Sequence, residues 1–478
     1  MPRRTKIIAT IGPASDSESM LRKLVDAGMD VARLGLAHGT LDTAMERYRR
    51  IRAVAADSGR RVGILVDLPG PKIRAAAFPE EGAELVTGSS IRIVPGFDGS
   101  SGEVVEIEYE HTLNDIRPGD SLPFGDGQVV VEIQEIDGQG ATAHVTTGGV
   151  LKGRPGMRIP SERLSLPTPT ADDLEKLDAF VEVGVDMVAV SYVRSAHDVR
   201  RVGTEPHPRG PLVVAKIETR AAIDNLDGII EASAAIMVAR GDLGTECDLA
   251  ELPHLQKRII AECIAGGLPV ITATQMLDSM VHAPTPTRAE ASDVANAVFD
   301  GTSAVMLSAE TAIGDHPVES VATMARIAAR ADDEFDYDTW ALRVAELRQR
   351  ARASDDPSEN ITDAMTMATW RAANELDLAA LLCISGSGFT VRSMARFRPH
   401  TPILGMTANE RTAQQLTLSW GVAPEVIEAE WSYEFRVAKA VEHGRSVGLI
   451  RTGDLIGVLA GMVGDSQATD VLRIMRVP

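Results

Sequence analysis

Eight short apolar runs are spaced along the first two thirds of the chain: KIIAT (6–10), DVARLGLA (30–37), VGILVDL (62–68), DMVAVSYV (186–193), LVVAKIE (212–218), AIMVARGD (235–242), PVITATQM (269–276) and SAVMLSAE (303–310). Between several of them lie segments of helical period, such as SMLRKLVDAG (19–28) and DLEKLDAFVEVG (173–184), which end on glycine as helices commonly do. Strands buried on both faces read as aliphatic runs, and each parallel crossover needs a helix. Eight such alternations predict an α/β fold in which a parallel (β/α)8, or TIM, barrel closes on itself. With 44% hydrophobic but only 4% aromatic residues, the core must be built largely from Ala, Val, Ile, Leu and Met, as such strands require.

Two stretches break the rhythm. Residues 72–160 switch to period-two alternation (SIRIV, VVEIEY, VVVEI, ATAHV) with turn signals such as FGDG and IDGQG, predicting a small antiparallel β-domain inserted after the third barrel strand. Placed there it covers the catalytic face as a lid. Residues 341–360 are charged and rich in Asp, Ser and Pro, a surface helix and linker. From Ile361 a second βα alternation begins, with strands expected near LLCIS, PILGMT, VGLIR and LIGVLA. The expected division is a discontinuous barrel (1–71 and 161–345), a small β-barrel lid (72–160) and a C-terminal doubly wound α/β domain (346–478).

A formal charge of −20 argues against nucleic acid as a partner, and an anionic substrate must then be drawn in by a local basic pocket. Three scattered cysteines (Cys247, Cys263, Cys383) form no CxxC pair, which fits a reducing compartment. No apolar run reaches membrane-spanning length, so a cytoplasmic protein without a membrane partner is expected. Cys247 reads as inert, and the acidic run Asp332–Asp338 as a solvated surface.

In such barrels chemistry sits at the C-terminal strand ends. Nearly every run here finishes in polar residues: Arg33 and His38, Asp67, Ser191 and Arg194, Lys216 and Glu218, Arg240 and Asp242, Thr274 and Gln275, Ser308 and Glu310. Lys216 and Glu218 are two apart on one strand and leave the same face. The next strand ends in ARGDLG, read as a tight turn that projects Asp242. Two carboxylates from neighbouring strands make a hard oxygen site suited to Mg2+ or Mn2+. Arg240 reads as a structural partner, and His38 as a loop-packing residue.

The blocks KIET, IMVARGDLG and VITATQMLDSM…PTRAEASDVANAVFDGTSAVMLSAETA resemble the signatures of pyruvate kinases, and TKIIATIGPAS, VARLGLAHG and VSYVRSAHDV are similar to the same family. The resemblance covers nearly the whole chain in the right order. It implies phosphoryl transfer from phosphoenolpyruvate to ADP, giving pyruvate and ATP, with a homotetramer as the usual assembly. Glu218 and Asp242 would bind the metal, and Lys216 would neutralise the phosphoryl group in flight. Arg33 would hold the substrate phosphate, and Arg74 would reach nucleotide and phosphate. Gly241 and Thr274 would take the substrate carboxylate, with Thr274 and Ser308 near the protonation path. Arg154 and Arg158 flank the lid position that contacts nucleotide phosphate. In the C-terminal ISGSGFT, Ser385, Ser387 and Thr390 resemble a sugar-phosphate effector loop, though an ordinary βα turn reads equally well; the later GMVGDSQATD lacks some of the glycines expected there.

The sequence departs from the family in three places. The usual K+ ligands are replaced by Gly35, Ala37 and Leu68, leaving Asp67, and Lys72 stands where K+-dependent members carry Glu; K+ is therefore not expected to be required. Pro69 and Pro155 each replace a lysine, at about 1.5–3 kcal/mol per lost charge-assisted phosphate bond. Three readings stay open: an active pyruvate kinase, a paralogue with another phosphoryl acceptor or a specialised role, and a non-catalytic phosphoenolpyruvate-binding protein.

Overall fold

The structure, a computed structural model, describes residues 3–125, 127–160, 163–350, 357–428, 432–461 and 469–478. Twenty strands occur among them: β1 (Lys6–Thr10), β2 (Val31–Gly35), β3 (Gly63–Leu68), β4 (Phe78–Leu85), β5 (Ser90–Pro95), β6 (Val104–Ile107), β7 (Ser121–Phe124), β8 (Val129–Ile136), β9 (Ala141–Thr147), β10 (Gly149–Gly153), β11 (Met187–Val190), β12 (Leu212–Ile217), β13 (Ala235–Ala239), β14 (Val270–Ala273), β15 (Ala304–Leu307), β16 (Ala380–Ile384), β17 (Ile403–Thr407), β18 (Val422–Val426), β19 (Leu455–Ala460) and β20 (Val471–Arg476). All eight apolar runs became strands of one closed parallel barrel, ordered β1-β2-β3-β11-β12-β13-β14-β15 and back to β1. The helical segments fold as Glu18–Ala27 and Ala171–Glu182, the first ending at Gly28 in the left-handed region.

Side chains from alternate positions fill the barrel. Ile8, Val31, Leu65, Ala189, Val214 and Met306 belong to one buried interior cluster, which Leu418 of the C-terminal domain joins. Because strand side chains alternate with period two, the interior face continues two residues further on. Those positions are Thr10, Arg33, Asp67, Ser191, Lys216 and Ser308. The apolar fill thus gives way to polar groups at one end of the barrel, and the same periodicity that builds the core builds the site.

Between β3 and β11 the chain forms a five-stranded sheet (β6-β5-β9-β8-β7) and a two-stranded ribbon (β10-β4) around a separate apolar core. Its pairing is antiparallel with one exception. β5 and β6 run parallel, Arg92 beside Val104, because the eight residues 96–103 carry the chain back to the start of β5. Strands β4, β7 and β10 had no period-two signal strong enough to be expected.

The C-terminal sheet is ordered β18-β17-β16-β19-β20, parallel except for the edge strand β20. Here VGLIR is not a strand. Helix Tyr433–Ser446 runs into it, and Gly448, with φ of +73°, turns the chain so that Ile450 buries against the sheet. β18 takes the place expected for it. The acidic run also differs from expectation: Asp332 is buried, accepting hydrogen bonds from the backbone N–H of Arg4 (2.7 Å) and Thr5 (2.9 Å) and from the Thr5 hydroxyl (2.8 Å). It anchors the entry to β1. The expected linker lies partly at 351–356, outside the described residues, between helices Tyr337–Arg350 and Pro357–Glu375. No helix among the described residues is long and apolar enough to cross a membrane.

Candidate active site

Arg33, Asp67, Ser191 and Lys216 stand on the four consecutive strands β2, β3, β11 and β12 or directly after them; Arg33 pairs with Leu65 and Asp67 with Ala189, so the inward-facing positions step two residues from strand to strand up to Ser191, which falls beside Lys216. That stagger brings them into one network. Lys216 Nζ donates to Ser191 Oγ at 2.6 Å and to Asp67 Oδ1 at 3.2 Å, and lies 2.8 Å from Glu218 Oε1. Asp67 Oδ2 accepts from Arg33 Nε at 2.7 Å, and Arg33 Nη1 donates to Thr10 Oγ1 at 2.9 Å. Lys216, Asp67 and Glu218 are all more than nine-tenths buried.

Burial alone would discharge these groups; the network reverses that for two of them. Desolvation pushes the Lys216 ammonium down, but Asp67 and Glu218 outweigh it and hold its pKa above the ordinary lysine value. Desolvation likewise works to raise Asp67, and Lys216 and Arg33 together bring it below the ordinary carboxylate range. Glu218 goes the other way. Burial raises its pKa, Lys216 lowers it, and Asp242 raises it again. Asp242 is thus close enough to Glu218 for the two charges to repel.

One oxygen of Glu218 is held by the backbone N–H of Tyr192 at 2.7 Å, where Tyr192 has φ of +57°. Its other oxygen, Oε1, is buried and meets no hydrogen-bond donor in line, despite the nearby ammonium. A buried carboxylate that keeps lone pairs beyond its contacts with Tyr192 and Lys216, beside a second carboxylate, fits a hard divalent cation. Among the described residues no group of three or more His, Cys, Asp or Glu gathers as a metal cage. Glu218 and Asp242 fit an ion that keeps one or two protein carboxylates and completes its shell with water and substrate oxygens.

Asp242 does not project from a tight turn, as the sequence suggested. It lies in the first turn of helix Arg240–Glu246, whose exposed N–H groups favour a carboxylate there. The insert reaches it: Arg158 forms an ion pair with the Asp242 carboxylate, and its Nη1 donates to the Asp242 carbonyl at 2.7 Å and to Thr245 Oγ1. Gly241 N–H donates to Thr274 Oγ1 at 3.0 Å. Thr274 and Gln275 both have positive φ, +72° and +55°, a costly backbone for non-glycine residues. Arg240 holds it in place, donating to the Thr274 carbonyl at 2.8 Å while ion-paired to Asp293 at 2.7 Å. Arg240 is therefore the structural partner that its setting suggested.

The other expected residues spread outward. Ser308 follows β15, its N–H donating to Glu310 Oε2 at 2.7 Å. Arg74 and Lys72 lie at the barrel-to-insert junction, and both charges, with Arg33, add to burial in holding His38 below the usual histidine value. Arg74 Nη1 donates to the Arg154 carbonyl at 3.2 Å, and Arg154 itself pairs with Glu108 in the insert. Burial raises the Cys247 thiol pKa. Far from the barrel mouth, Thr390 is buried and hydrogen-bonded to Thr469 at 2.6 Å, leaving Ser385 and Ser387 on the turn itself. Most of GMVGDSQATD (462–468) lies outside the described residues. Thr10 and Tyr192 were missed. Period two from Ile8 could have found Thr10; nothing in the sequence announces the left-handed backbone of Tyr192.

A closed parallel barrel with an ammonium, an arginine and an acidic pair at the C-terminal strand ends, under an inserted β-domain, defines a barrel enzyme of phosphoryl chemistry. Residues 2–321 match the family model for the pyruvate kinase barrel domain, and residues 363–475 that for the pyruvate kinase alpha/beta domain. The chain is 38% identical over 477 residues to a pyruvate kinase of Bacillus licheniformis, covering 99% of this chain and 80% of that one. It is 36% identical over 481 residues to a pyruvate kinase of Clostridium acetobutylicum, covering 99% and 100%. The crystal structure of a pyruvate kinase from Cryptosporidium parvum superposes with a TM-score of 0.91 at 30% identity, over 100% of this chain and 96% of that one. The chain belongs to the pyruvate kinase family.

Proposed function

We propose that this protein transfers the phosphoryl group of phosphoenolpyruvate to ADP and protonates the resulting enolate to pyruvate. The observation that carries the reading is the Lys216–Glu218–Asp242 constellation, an ammonium against a buried carboxylate with a second carboxylate in electrostatic reach. A divalent ion bound there, Mg2+ or Mn2+, would supply positive charge to the phosphoryl and carboxylate oxygens of the substrate. Arg33, pinned through Nε and Nη1, keeps Nη2 for the substrate phosphate. Lys216 stays charged across the neutral range, as the neutralisation of a migrating PO3 requires. Asp67 orients both cations. Gly241 N–H and Thr274 Oγ1 form a pair of polar groups for the substrate carboxylate, and Thr274 and Ser308 stand on the strands beside the path of the proton. Arg74, Arg154 and Arg158 serve the nucleotide side, with residues 72–160 acting as the lid. K+ is not needed, because Lys72 supplies the charge. The sugar-phosphate loop assignment then rests on Ser385 and Ser387.

A coupled assay with phosphoenolpyruvate, ADP and Mg2+ tests this: pyruvate should form, and Lys216→Met should lower kcat by about 10^3-fold or more. Binding of phosphoenolpyruvate with no turnover under any nucleoside diphosphate would overturn it. A second reading, another phosphoryl acceptor, is favoured by Pro155 and by the engagement of Arg154 with Glu108. Assays across nucleoside diphosphates and other acceptors separate the two.

A further inference from the structure

Where the barrel meets the C-terminal domain, away from the strand ends that carry the site, a narrow cavity is lined by Arg392, Arg396, Arg398, Ser419 and Trp420. All five residues are buried, and each keeps one polar atom without a hydrogen-bond partner: Arg392 Nη1, Arg396 Nε, Arg398 Nη1, Ser419 Oγ and Trp420 Nε1. Four of these atoms can only donate. The Arg392 head turns away towards Gly388, but buried polar groups in folded proteins are normally satisfied, so the other four orphans on residues lining one cavity call for an occupant.

Charge points the same way. Arg396 pairs with Asp363, but Arg348 grips the same carboxylate. Arg392 and Arg398 have no carboxylate within ion-pair distance among the described residues. Arg392 Nη2 reaches the Ser387 carbonyl at 3.2 Å and His207 Nδ1 at 3.5 Å. Arg398 Nη2 donates to the Thr302 carbonyl at 2.5 Å, and its guanidinium carbon lies 4.7 Å from the ring of Phe335, 5.1 Å from that of Trp340 and 4.8 Å from that of Trp420. Those rings attract the cation through their faces but accept nothing from Nη1. The cavity has room for the centre of one water-sized occupant, about 10 Å³, too little for phosphate or a carboxylate metabolite.

We propose that this cavity is a binding site for a single small inorganic anion, of the size of chloride. Arg396, Arg398, Trp420 and Ser419 donate to it from the C-terminal domain, and it neutralises a cluster that one aspartate cannot. A water molecule would bring no charge and two hydrogens of its own to place. The anion seats the C-terminal domain on the barrel segment Ile264–Pro269 that forms the opposite wall. Arg392 and Ala395 of helix Phe389–Ala395, which follows the Ser385–Ser387 turn, line it.

Two measurements on the full chain test this. Thermal unfolding is followed at fixed ionic strength while chloride replaces the bulky anion isethionate. A saturable rise in Tm is expected, because a ligand that binds only the folded state stabilises it by mass action. Ser419→Ala, which removes one small donor, should raise the half-saturating chloride concentration about tenfold, and Arg398→Met should abolish the response. Crystals grown in bromide should show anomalous scattering in the cavity. A water there with no bromide signal, or a salt response equal for all anions and unchanged in Ser419→Ala, overturns the proposal. Should Arg398→Met fail to fold, Ser419→Ala and the bromide crystals still decide.

Discussion

Arg158, carried by the inserted domain, lies against Asp242, the aspartate at the end of β13, through both its carboxylate and its carbonyl. The guanidinium therefore occupies one of the two carboxylate oxygens, Oδ1, that a divalent ion could use, and cation and arginine compete for one anionic group. Replacing Arg158 by Gln removes the competitor and keeps a hydrogen-bonding side chain. In the substrate-free protein, Arg158→Gln should bind Mn2+ about three- to tenfold more tightly, as followed by the paramagnetic resonance of free Mn2+. An unchanged or weaker affinity would mean that Arg158 helps to hold the ion's surroundings in place.

Lys216 has a structural duty besides its chemistry. Removing it leaves Asp67 and Glu218 buried together without their shared cation, and breaking a buried pair from one side costs about 3–5 kcal/mol. Lys216→Met should therefore lower Tm as well as activity. Adding Glu218→Gln relieves one stranded charge and should recover part of the stability while leaving the enzyme inactive. Denaturant unfolding of wild type, single and double variants checks this; a double variant no more stable than the single one defeats the argument.

The barrel was legible because each run had to be apolar on both faces, and the site because period two carries Val214 to Lys216 and Lys216 to Glu218. What escaped was decided by tertiary context. Asp332 looks like one more surface acid in an acidic stretch, and only the arrival of Arg4 and Thr5, more than three hundred residues away in sequence, makes it a buried acceptor. The VGLIR segment is β-branched enough to suggest a strand, yet a helix end at Gly448 claims it. Arg158 could be given a charge but not a partner, since the reach of the insert over the barrel mouth is a property of two domains and not of either sequence segment.

Burying Asp332 makes it a sensitive position. It accepts three hydrogen bonds from Arg4 and Thr5, and Asp332→Ala leaves two backbone N–H groups and one hydroxyl without their acceptor. At about 1–3 kcal/mol for a stranded buried donor, the loss should reach several kcal/mol, and Asp332→Asn should fall in between because it keeps one acceptor. Chemical denaturation reads the difference. A near-neutral Asp332→Ala would show that β1 is anchored by its barrel neighbours alone.

Asp67 gives the protein an acid limit. Its carboxyl titrates below the ordinary carboxylate range in the fold, so the stabilisation from Lys216 and Arg33 is present in full above that range and is lost as pH falls through the lowered value. Glu218, held above its ordinary value, has the opposite sign and favours the fold as it protonates. Asp67→Asn should flatten the acid-side fall in Tm below the normal carboxylate range and, by releasing Arg33, raise KM for phosphoenolpyruvate about tenfold or more. An acid-side slope as steep as that of wild type would place the limit elsewhere.

No requirement for K+ is expected, because side-chain oxygens are missing where the ion would sit. Gly35, Ala37 and Leu68 offer no side-chain oxygen, and both oxygens of Asp67 are already engaged, Oδ2 by Arg33 at 2.7 Å and Oδ1 by Lys216 at 3.2 Å. An alkali cation would have to displace an ammonium or a guanidinium from a buried carboxylate and would find too few ligands to replace its water. Exchanging KCl for NaCl keeps ionic strength and chloride constant, so screening is unchanged and the rate should differ by less than about twofold. Lys72 lies two residues from Arg74 and, like Arg74 and Arg33, within electrostatic reach of His38, adding positive charge at this edge of the site. Lys72→Glu should therefore lower activity. K+ should not restore it, because a carboxylate at position 72 changes a charge but supplies none of the ligand oxygens absent at Gly35, Ala37 and Leu68. A severalfold stimulation of the wild type by K+ over Na+, or a full rescue of Lys72→Glu by K+, would show that the mouth of the barrel holds an alkali ion after all.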